Sequence, residues 1–314
     1  MPKVSVIVPI YGVEQYIEKC AISLFEQTME DIEYIFIDDC TKDRSIDILK
    51  DIIERYPHRR SQTIIETMSH NTGQAYVRQK GVSIAKGEYI AFCDSDDWVE
   101  REMYEQMYEI GIKKGCQMVV CDYISSNGND YSVHYGMAST SNRLDFIRDL
   151  ISMKYAWSLC NKIIRRELFF SAIHQFPKSN NGEDLAIVLQ IVYECPIIGY
   201  IHKSFYNYYQ NPHSLTKQVS RQAYERRFYQ FQDNLKIVLS YYSSKREYAL
   251  LSSAFTALQF FGKAKLWPLL RIDKSYYSLW QKTAPRLFSK MLTCKYLRTN
   301  NKIKYILTCL KLYP

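Results

Sequence analysis

Short apolar runs alternate with segments of helical periodicity through roughly the first 125 residues, and this alternation restricts the fold more than any other feature. The runs are rich in β-branched and aromatic residues, which is typical of buried strands. Pro9, which has no backbone N–H to donate, is expected to end the first run. Strict alternation indicates an α/β fold with a doubly wound, mostly parallel sheet and flanking helices. Strands are predicted at 4–11, 32–37, 63–65, 89–93 and 118–123, with helices between them, the last two over 73–85 and 100–114.

Polar side chains follow three of these strands. Tyr11 ends the first strand, Asp38 and Asp39 follow the second, and residues 94–96 follow the fourth. Because ligands of a doubly wound sheet bind beyond the carboxyl ends of its strands, we expect these residues to converge on one crevice. The chain has neither a GxGxxG nor a GxxxxGK[ST] motif, which excludes a dinucleotide fingerprint and a Walker loop.

The fourth strand ends in three carboxylates within four positions, Asp94, Asp96 and Asp97. Unpaired charges are too costly inside a core, so these residues are expected on a turn where the strand leaves the sheet. Two carboxylates held close together repel each other unless a cation lies between them, and a hard divalent metal that also binds phosphate oxygens suits such a site. The alternative is an acidic turn that caps a helix starting near Glu100, and Asp97 in particular is expected to be that cap.

The net charge of +8 is unevenly distributed along the chain. Residues 1–219 contain 23 basic and 29 acidic side chains, whereas residues 220–314 contain 18 basic and 4 acidic ones. From Lys274 onward there are nine basic residues and no acidic residue. This distribution indicates an acidic catalytic part and a basic region directed at an anionic partner.

Three sequence features favour a cytoplasmic location. The chain passes from Met1 directly into a strand pattern rather than into the apolar segment of a signal peptide. The long uncharged stretch at residues 249–262 contains Ser, Thr and Gln and is too short and too polar to span a bilayer. Nine cysteines without paired spacing indicate reduced thiols.

Four blocks of the sequence resemble glycosyltransferase family 2. All four occur in the family's order and at its spacing: 4–11, 37–43, 71–81 and 94–97. The resemblance implies a GT-A fold, a nucleotide-sugar donor, a Mg²⁺ or Mn²⁺ ion and inversion at the anomeric carbon. It ends near residue 217, so we expect a catalytic GT-A domain over 1–217 and a helical basic region over 218–314.

The resemblance also implies roles for individual residues at the donor site. Tyr11 and Asp39, with Asp38 as the adjacent candidate, would hold the nucleobase and ribose, and Pro9 belongs to the same site. A carboxylate can accept from a uracil N–H while an aromatic face stacks on the ring, so a UDP-sugar is the expected donor. For Tyr11, plain core packing is the alternative.

The resemblance implies that the diphosphate and the metal lie against Arg78 and against residues 94–97, which we call the acidic turn. Arg78 belongs to an NxGxxxxR pattern, and its guanidinium can bind pyrophosphate oxygens bidentately; a solvated helix residue is the alternative. Asp96 is implied as a metal ligand, and Asp94 as a second ligand or a contact to ribose or donor sugar, with Ser95 between them at the donor site. His213 is a further candidate metal ligand, with a lone surface histidine as the alternative.

An inverting transfer needs a base that takes the proton of the acceptor hydroxyl. Glu183 and Asp184 open a segment of helical pattern, and family members commonly carry such a pair, with the Asp as base. Asp184 is therefore the implied base and Glu183 its alternative, while simple capping of the helix stays open for both. Trp157, in a segment similar to capsule-type members, is a candidate wall against an acceptor sugar or a core residue.

These features predict a metal-dependent inverting glycosyltransferase, with hexosyl transfer expected, that acts on a saccharide or lipid-linked acceptor in surface polysaccharide synthesis. One alternative is a nucleotide-sugar-binding protein without turnover, and another is a nucleic-acid-binding protein that uses the basic region. We expect no nucleic-acid partner, because no nucleic-acid module is recognisable and the four blocks would stay unexplained.

Residues 274–314 combine nine positive charges with two apolar helical faces. Basic amphipathic helices lie on anionic membranes, which would place the protein on the inner face of the plasma membrane. The alternatives are that these faces pack on the catalytic domain, leaving the charges solvated, or that they form a subunit interface. The apolar residues of the two faces are Leu287, Met291, Leu292, Ile303, Ile306, Leu307 and Leu310.

Overall fold

The structure is a computed structural model of the 314-residue chain, and it describes residues 1–138, 142–212, 214, 217–285 and 287–312. In this part of the chain, nine strands form one sheet. The strands are β1 (Val4–Ile10), β2 (Ile32–Asp38), β3 (Thr63–Thr67), β4 (Tyr89–Phe92), β5 (Trp98–Val99), β6 (Met118–Ser126), β7 (Tyr131–His134), β8 (Lys162–Arg165) and β9 (Ile198–Tyr209).

The strands lie in the order β3-β2-β1-β4-β8-β6-β9-β5, and β7 pairs with β6. The first four strands are parallel to one another, with Val4 of β1 opposite Ile32 of β2 and Tyr89 of β4. Beyond β4 the sheet is mixed, because β8 is antiparallel to both of its neighbours, and β5 and β7 are antiparallel to β9 and β6. The doubly wound α/β arrangement predicted from the sequence is confirmed.

The first strand does not end at Pro9, which corrects the expectation from sequence. β1 continues to Ile10 in parallel pairing with β2. The carbonyl of Ile7 accepts from Cys93 N–H on the β4 side, and the carbonyl of Ile10 accepts from Asp39 N–H on the β2 side. Since alternate residues of a strand direct their backbone groups to alternate neighbours, the nitrogen of Pro9 faces the β4 side, where pairing ends at Ile7. The missing N–H therefore breaks no hydrogen bond of the sheet.

Helices cover both faces of the sheet, and the helices predicted in the first half of the chain are confirmed. The fourth of them begins at Met103 rather than near Glu100. In the described part of the chain, none of the helices combines the length and the apolar composition that crossing a bilayer requires. The helices are α1 (Ile17–Phe25), α2 (Ser45–Arg55), α3 (Gln74–Ile84), α4 (Met103–Lys114), α5 (Arg143–Ile151), α6 (Leu168–Ser171), α7 (Glu183–Glu194), α8 (Arg221–Ser243), α9 (Tyr248–Ala264), α10 (Trp267–Ile272), α11 (Tyr277–Lys282), α12 (Leu287–Thr293) and α13 (Thr299–Cys309).

Alternate residues of the central strands point to opposite faces and build two apolar cores. On β1, Val6 and Val8 belong to the core that includes residues of α1, α2 and α4. Ile7 belongs to the other core, together with residues of α3, α5 and α7. Because the central strands are buried on both faces, their sequences are apolar almost throughout rather than alternating.

The C-terminal region is helical, as predicted, and it packs on the sheet domain in two layers. Phe231 and Val238 of α8 and Leu258 of α9 belong to the same core as the strand residues. Helices α10 to α13 form a third core with the outer sides of α8 and α9, and Trp280 and Met291 are buried there. The boundary predicted between 217 and 218 stays a prediction.

We expect the Asn234→Ala variant to be less stable, because Asn234 joins α8 to the loop before α7. Its Nδ2 donates to the carbonyl oxygens of Ser179 (2.8 Å) and Asn181 (3.0 Å), and the side chain is fully buried. Loss of the amide leaves two carbonyls unpaired, so the free energy of unfolding in urea should fall by about 2 kcal/mol. Lys236→Ala, an exposed change in the same helix, should stay within about 0.5 kcal/mol of the parent. Equal values for the two variants would contradict this role.

Candidate active site

The carboxyl ends of β1, β2 and β4 lie side by side, with β1 in the middle. Tyr11, just beyond β1, is 51% exposed, so it is not a core residue. Pro9 is half-buried, while Asp38 and Asp39 at the end of β2 are almost fully buried. The structure therefore brings the predicted donor-site residues to one edge of the sheet.

Asp39 connects the end of β2 to the loop before α3. Its Oδ1 accepts from the N–H and the hydroxyl of Thr72 (2.7 and 2.9 Å), and its Oδ2 accepts from the N–H of Gly73 (2.8 Å). Asp38 Oδ1 accepts from the N–H of Thr41 at 2.8 Å and closes the turn after β2. An ionised carboxylate offers about four acceptor positions, so Asp39 retains capacity for about one more donor.

The start of α3 is tied to the loop before α7. Asn180 Oδ1 accepts from the N–H of Ala75 at 3.0 Å, which satisfies one of the unpaired donors of the first helical turn. Gly73 has a φ of 86°, and a Cβ there would lie 2.0 Å from Asn180 Nδ2, so the position requires glycine. Gln74 Nε2 donates to Asp94 Oδ1 at 3.0 Å. These contacts join α3, the α7 loop and the acidic turn.

Asp97 is not a helix cap, which corrects the prediction made for it. It is 1% exposed, and α4 begins further along the chain. Its Oδ2 accepts from the hydroxyl of Tyr206 (2.5 Å) and its Oδ1 from the N–H of Tyr209 (2.7 Å), both in β9. The Tyr206 oxygen also accepts from the N–H of Asp94 at 3.0 Å. Burial, and then the charges of Asp94 and Asp96, raise the pKa of Asp97 well above its usual range.

Asp96 is half-buried on the same turn and fits the role of a metal ligand. Asn211 Nδ2 donates to its Oδ2 at 3.0 Å. Burial and the charge of Asp94 raise the pKa of Asp96, so a cation beside this turn would relieve uncompensated negative charge. Among the residues described, no group of three or more His, Cys, Asp or Glu side chains is arranged to hold a metal ion. Two carboxylates are nevertheless a usual protein share for Mg²⁺, which takes its other ligands from phosphate and water.

Arg78 lies inside the protein and contacts three carboxylates. Its Nη2 donates to Asp94 Oδ1 at 3.0 Å, and its Nη1 donates to Glu183 Oε1 at 2.8 Å and to Asp184 Oδ1. The residue is 1% exposed, so the alternative of a solvated helix residue is wrong. Burial alone would lower the pKa of Arg78, but the three carboxylates raise it well above its usual value. The guanidinium therefore stays charged and links the acidic turn to the start of α7.

Glu183 and Asp184 form the first turn of α7, as predicted. Leu159 N–H donates to Asp184 Oδ2 at 3.1 Å. Burial, and then the charge of Asp184, raise the pKa of Glu183 to about 8. Burial also raises the pKa of Asp184, although Arg78 opposes this rise. The pair thus consists of two acids that ionise less readily than exposed ones, held on one guanidinium.

Lys162 of β8 supports the loop that reaches Asp184. The side chain is fully buried, and its Nζ donates to the carbonyl of Ser158 (2.7 Å) and to Asn161 Oδ1 (2.8 Å). Burial lowers the pKa of Lys162 to about 8, although the charge of Asp184 opposes this effect. The ammonium group therefore fixes the backbone from which Leu159 N–H meets Asp184.

Trp157, Ser95 and His213 are the remaining predicted residues. Trp157 is half-buried and meets Phe261 of α9 edge to face, with ring centroids 6.0 Å apart, so at least one side of it packs on the C-terminal helices. Ser95 is buried within the acidic turn. His213 lies outside the described residues.

Five residues of the site were missed by sequence reasoning. Gln74 lies inside the block 71–81, Lys162 lies five positions after Trp157, Asn180 three positions before Glu183, and Asn211 two positions before His213, and this proximity was the signal available for them. Their side chains gave no further sign of their partners, which for all but Lys162 lie 20 or more positions away in the chain. They are Gln74, Asn180, Tyr206, Asn211 and Lys162.

Solved structures similar to this chain are GT-A glycosyltransferases. S. aureus TarS (residues 1–349) in complex with UDP-GlcNAc matches with a TM-score of 0.62 and 18% identity, covering 98% of this chain and 92% of that one. Mannosyltransferase PcManGT from Pyrobaculum calidifontis, in complex with GDP-Man and Mn²⁺, matches with a TM-score of 0.59 and 15% identity, covering 99% of this chain and 87% of that one. At these identities the likeness concerns the fold.

Sequence comparison is more specific. A glycosyltransferase of Bacillus subtilis (strain 168), EpsJ, is 31% identical over 225 residues, which are 69% of this chain and 64% of EpsJ. This chain thus spans less than two thirds of that relative's length. The model of glycosyl transferase family 2 matches residues 5–171, more than half of the chain. The chain therefore belongs to glycosyltransferase family 2 and has the GT-A fold.

Proposed function

We propose that the protein transfers a sugar, expected to be a hexose, from a nucleotide-diphosphate sugar to a hydroxyl group of an acceptor, with inversion at the anomeric carbon. A UDP-sugar is the donor we favour. One observation carries the proposal: Arg78 joins Asp94 of the acidic turn to the acid pair at the start of α7. Because Arg78 contacts both, the site for the donor diphosphate and the candidate base lie a few ångströms apart. A reaction in which the acceptor hydroxyl displaces the diphosphate in one step requires this proximity.

On the donor side, Tyr11 and the end of β2 would hold the nucleoside. The exposed ring of Tyr11 is free to stack on a base, and Asp39 can accept one more hydrogen bond after its three contacts to the α3 loop. Asp96, with Asp94, would hold a Mg²⁺ or Mn²⁺ ion. When bound there, such an ion supplies Lewis-acid stabilisation of the departing diphosphate.

On the acceptor side, Asp184 would take the proton from the attacking hydroxyl. Its raised pKa makes it a stronger base than an exposed aspartate, and the N–H of Leu159 orients one of its oxygens. Burial and the charge of Asp184 raise the pKa of Glu183 to about 8, which makes Glu183 less suited to the role because the base must be ionised. Arg78 would hold the ionised Asp184 in place and limit its repulsion from Asp94. His213 stays a candidate metal ligand, and Trp157 a candidate wall of the acceptor site.

The acceptor we propose is a saccharide or a lipid-linked saccharide, in the synthesis of a surface polysaccharide. The similarity of the segment around Trp157 to capsule-type members supports this choice. We further propose that this acceptor lies on the inner face of the plasma membrane and that the protein is cytoplasmic and peripheral to that membrane. A panel of nucleotide-sugars, assayed for metal-dependent release of the nucleoside diphosphate, tests the activity and identifies the donor.

The metal assignment predicts that Asp96→Asn loses the effect of divalent ions on UDP binding. The amide keeps the size of the side chain but removes the negative charge that a hard cation requires. Calorimetry of UDP with and without Mn²⁺ measures the effect, and transfer should be undetectable in the variant. Asp31→Asn, an exposed change at the opposite edge of the sheet, is the matched control. Equal UDP affinity of the parent protein with and without metal would exclude the assignment.

The base assignment predicts that Asp184→Asn lowers the rate of transfer by about 10²–10⁴-fold, because general-base catalysis is worth about that factor. Donor binding should change little, since the amide keeps the shape of the side chain. Glu194→Gln, in the last turn of the same helix, should transfer at the parent rate. If Asp184→Asn transferred at the parent rate, the base would have to be Glu183 or another acid.

The raised pKa of Asp184 predicts the acid limb of the pH profile. The base works when ionised, so kcat/KM should fall as pH decreases through its pKa. Because burial raises that pKa, the fall should occur above the range of an exposed aspartate, about pH 4. The residual activity of Asp184→Asn should lack this limb. A limb at the same pH in parent and variant would assign the titration to a different group.

A further inference from the structure

Helix α13 is attached to the protein by the side that carries Tyr305 and Thr308, with Ile306 packed beside them on the third core. Tyr305 and Thr308 are its buried residues. The Tyr305 hydroxyl accepts from Lys263 Nζ at 3.2 Å, and Thr308 Oγ1 accepts from Trp267 Nε1 at 3.1 Å. The side of the helix opposite these contacts therefore faces away from the core.

That outward side is apolar. Ile303 and Leu310 are 48% and 61% exposed, and Leu307, at helical spacing between them, is half-buried. Lys302 lies to one side of this stripe, and Lys304 lies to the other side. Helix α13 therefore has a second apolar stripe, which is directed outward between flanking lysines, in addition to the side that completes the third core.

Helix α12 adds exposed apolar side chains beside α13. Phe288 and Leu292, one turn apart, are 45% and 46% exposed. The Phe288 ring lies 6.2 Å from the ring of Tyr305, and Lys302 Nζ donates to the carbonyl of Leu292 at 2.9 Å, so the two helices are in contact here. We name this surface the α12–α13 face, made of Phe288, Leu292, Ile303, Leu307 and Leu310.

We propose that the α12–α13 face docks on an anionic lipid membrane. The part of the chain that carries it, from Lys274 onward, has nine basic and no acidic residues, so its charge matches a surface of acidic headgroups. Apolar side chains would enter the headgroup boundary while the lysines reach back to the phosphates. The role that we give to docking, access to a lipid-linked acceptor, rests on the proposed function. Binding of the α12–α13 face to the membrane does not.

A second copy of the chain fits this face poorly. In a symmetric dimer the same patch meets itself, so lysines of one subunit would oppose lysines of the other. Like charges across an interface are unfavourable. The positive charge of the face would match nucleic acid, but its aliphatic stripe would not, since proteins bind bases by stacking and hydrogen bonding. An anionic lipid surface satisfies both the stripe and the charges.

Cosedimentation of the full chain with lipid vesicles tests the proposal. The protein should bind phosphatidylcholine vesicles that contain about a third phosphatidylglycerol, bind pure phosphatidylcholine far less, and dissociate as salt shortens the Debye length from about 10 Å to about 3 Å. Ile303→Gln/Leu307→Gln/Leu310→Gln should weaken binding at least tenfold. Lys302→Gln/Lys304→Gln/Lys311→Gln should weaken it on the order of 100-fold, since each basic side chain contributes up to about fivefold.

The matched control is Ile112→Gln/Lys113→Gln/Lys114→Gln, which removes an exposed Ile and two exposed Lys from α4 and should bind like the parent. Thermal unfolding and UDP binding verify that each variant is folded. The proposal is overturned if the parent ignores anionic vesicles at low salt, if the α13 variants bind like the control, or if the parent sediments as a dimer that the apolar variant dissociates. Vesicle binding without any sugar transfer would leave docking intact and refute the proposed function instead.

Discussion

The site depends on one buried guanidinium among carboxylates. Arg78 brings a positive charge into a region where Asp94, Glu183 and Asp184 would otherwise repel each other. Charges are buried at a tolerable cost when they are paired, and removing one partner of a buried pair typically costs about 3–5 kcal/mol. The start of α7 and the acidic turn must therefore keep their spacing to α3. The ion pairs of Arg78 that stabilise the protein therefore also fix the position of the donor site relative to the base.

The C-terminal helices also hold Arg78 and its three carboxylates in place. Asn234 of α8 hydrogen-bonds the loop that leads into α7, and Phe231 packs where a Cβ at Gly182 would lie, 2.9 Å from its ring. Phe261 of α9 meets Trp157, close in sequence to the loop that donates to Asp184. The helices beyond residue 217 are thus part of the support of the site, although they contribute none of its acidic residues.

Local periodicity and the residues at the ends of strands were sufficient to predict part of the fold and part of the site. The order of strands and helices from β1 to β4, the carboxylates after β4 and the acid pair that opens α7 could all be predicted, whereas β5, β7, β8 and β9 were not. The errors concern partners distant in the chain: Asp97 was taken for a cap because its hydrogen-bonding partners lie in β9. Likewise, the burial of Arg78 depends on acids about a hundred residues away. For α13 a helical pattern reveals a stripe, but not whether that stripe faces the core or the solvent.

Helix α9 connects the two surfaces that this protein would need to coordinate. Phe261 contacts Trp157 on the side of the site, and Lys263, two positions later, donates to Tyr305 of α13. Lys263 is 3% exposed and its ammonium lies 4.8 Å from the centre of the Trp280 ring, so burial lowers its pKa to about 8 and packing fixes it in place. A side chain so enclosed cannot act as a flexible tether. If α13 rests on a membrane, the orientation of the catalytic domain toward a lipid-linked acceptor is set by packed helices rather than by a linker.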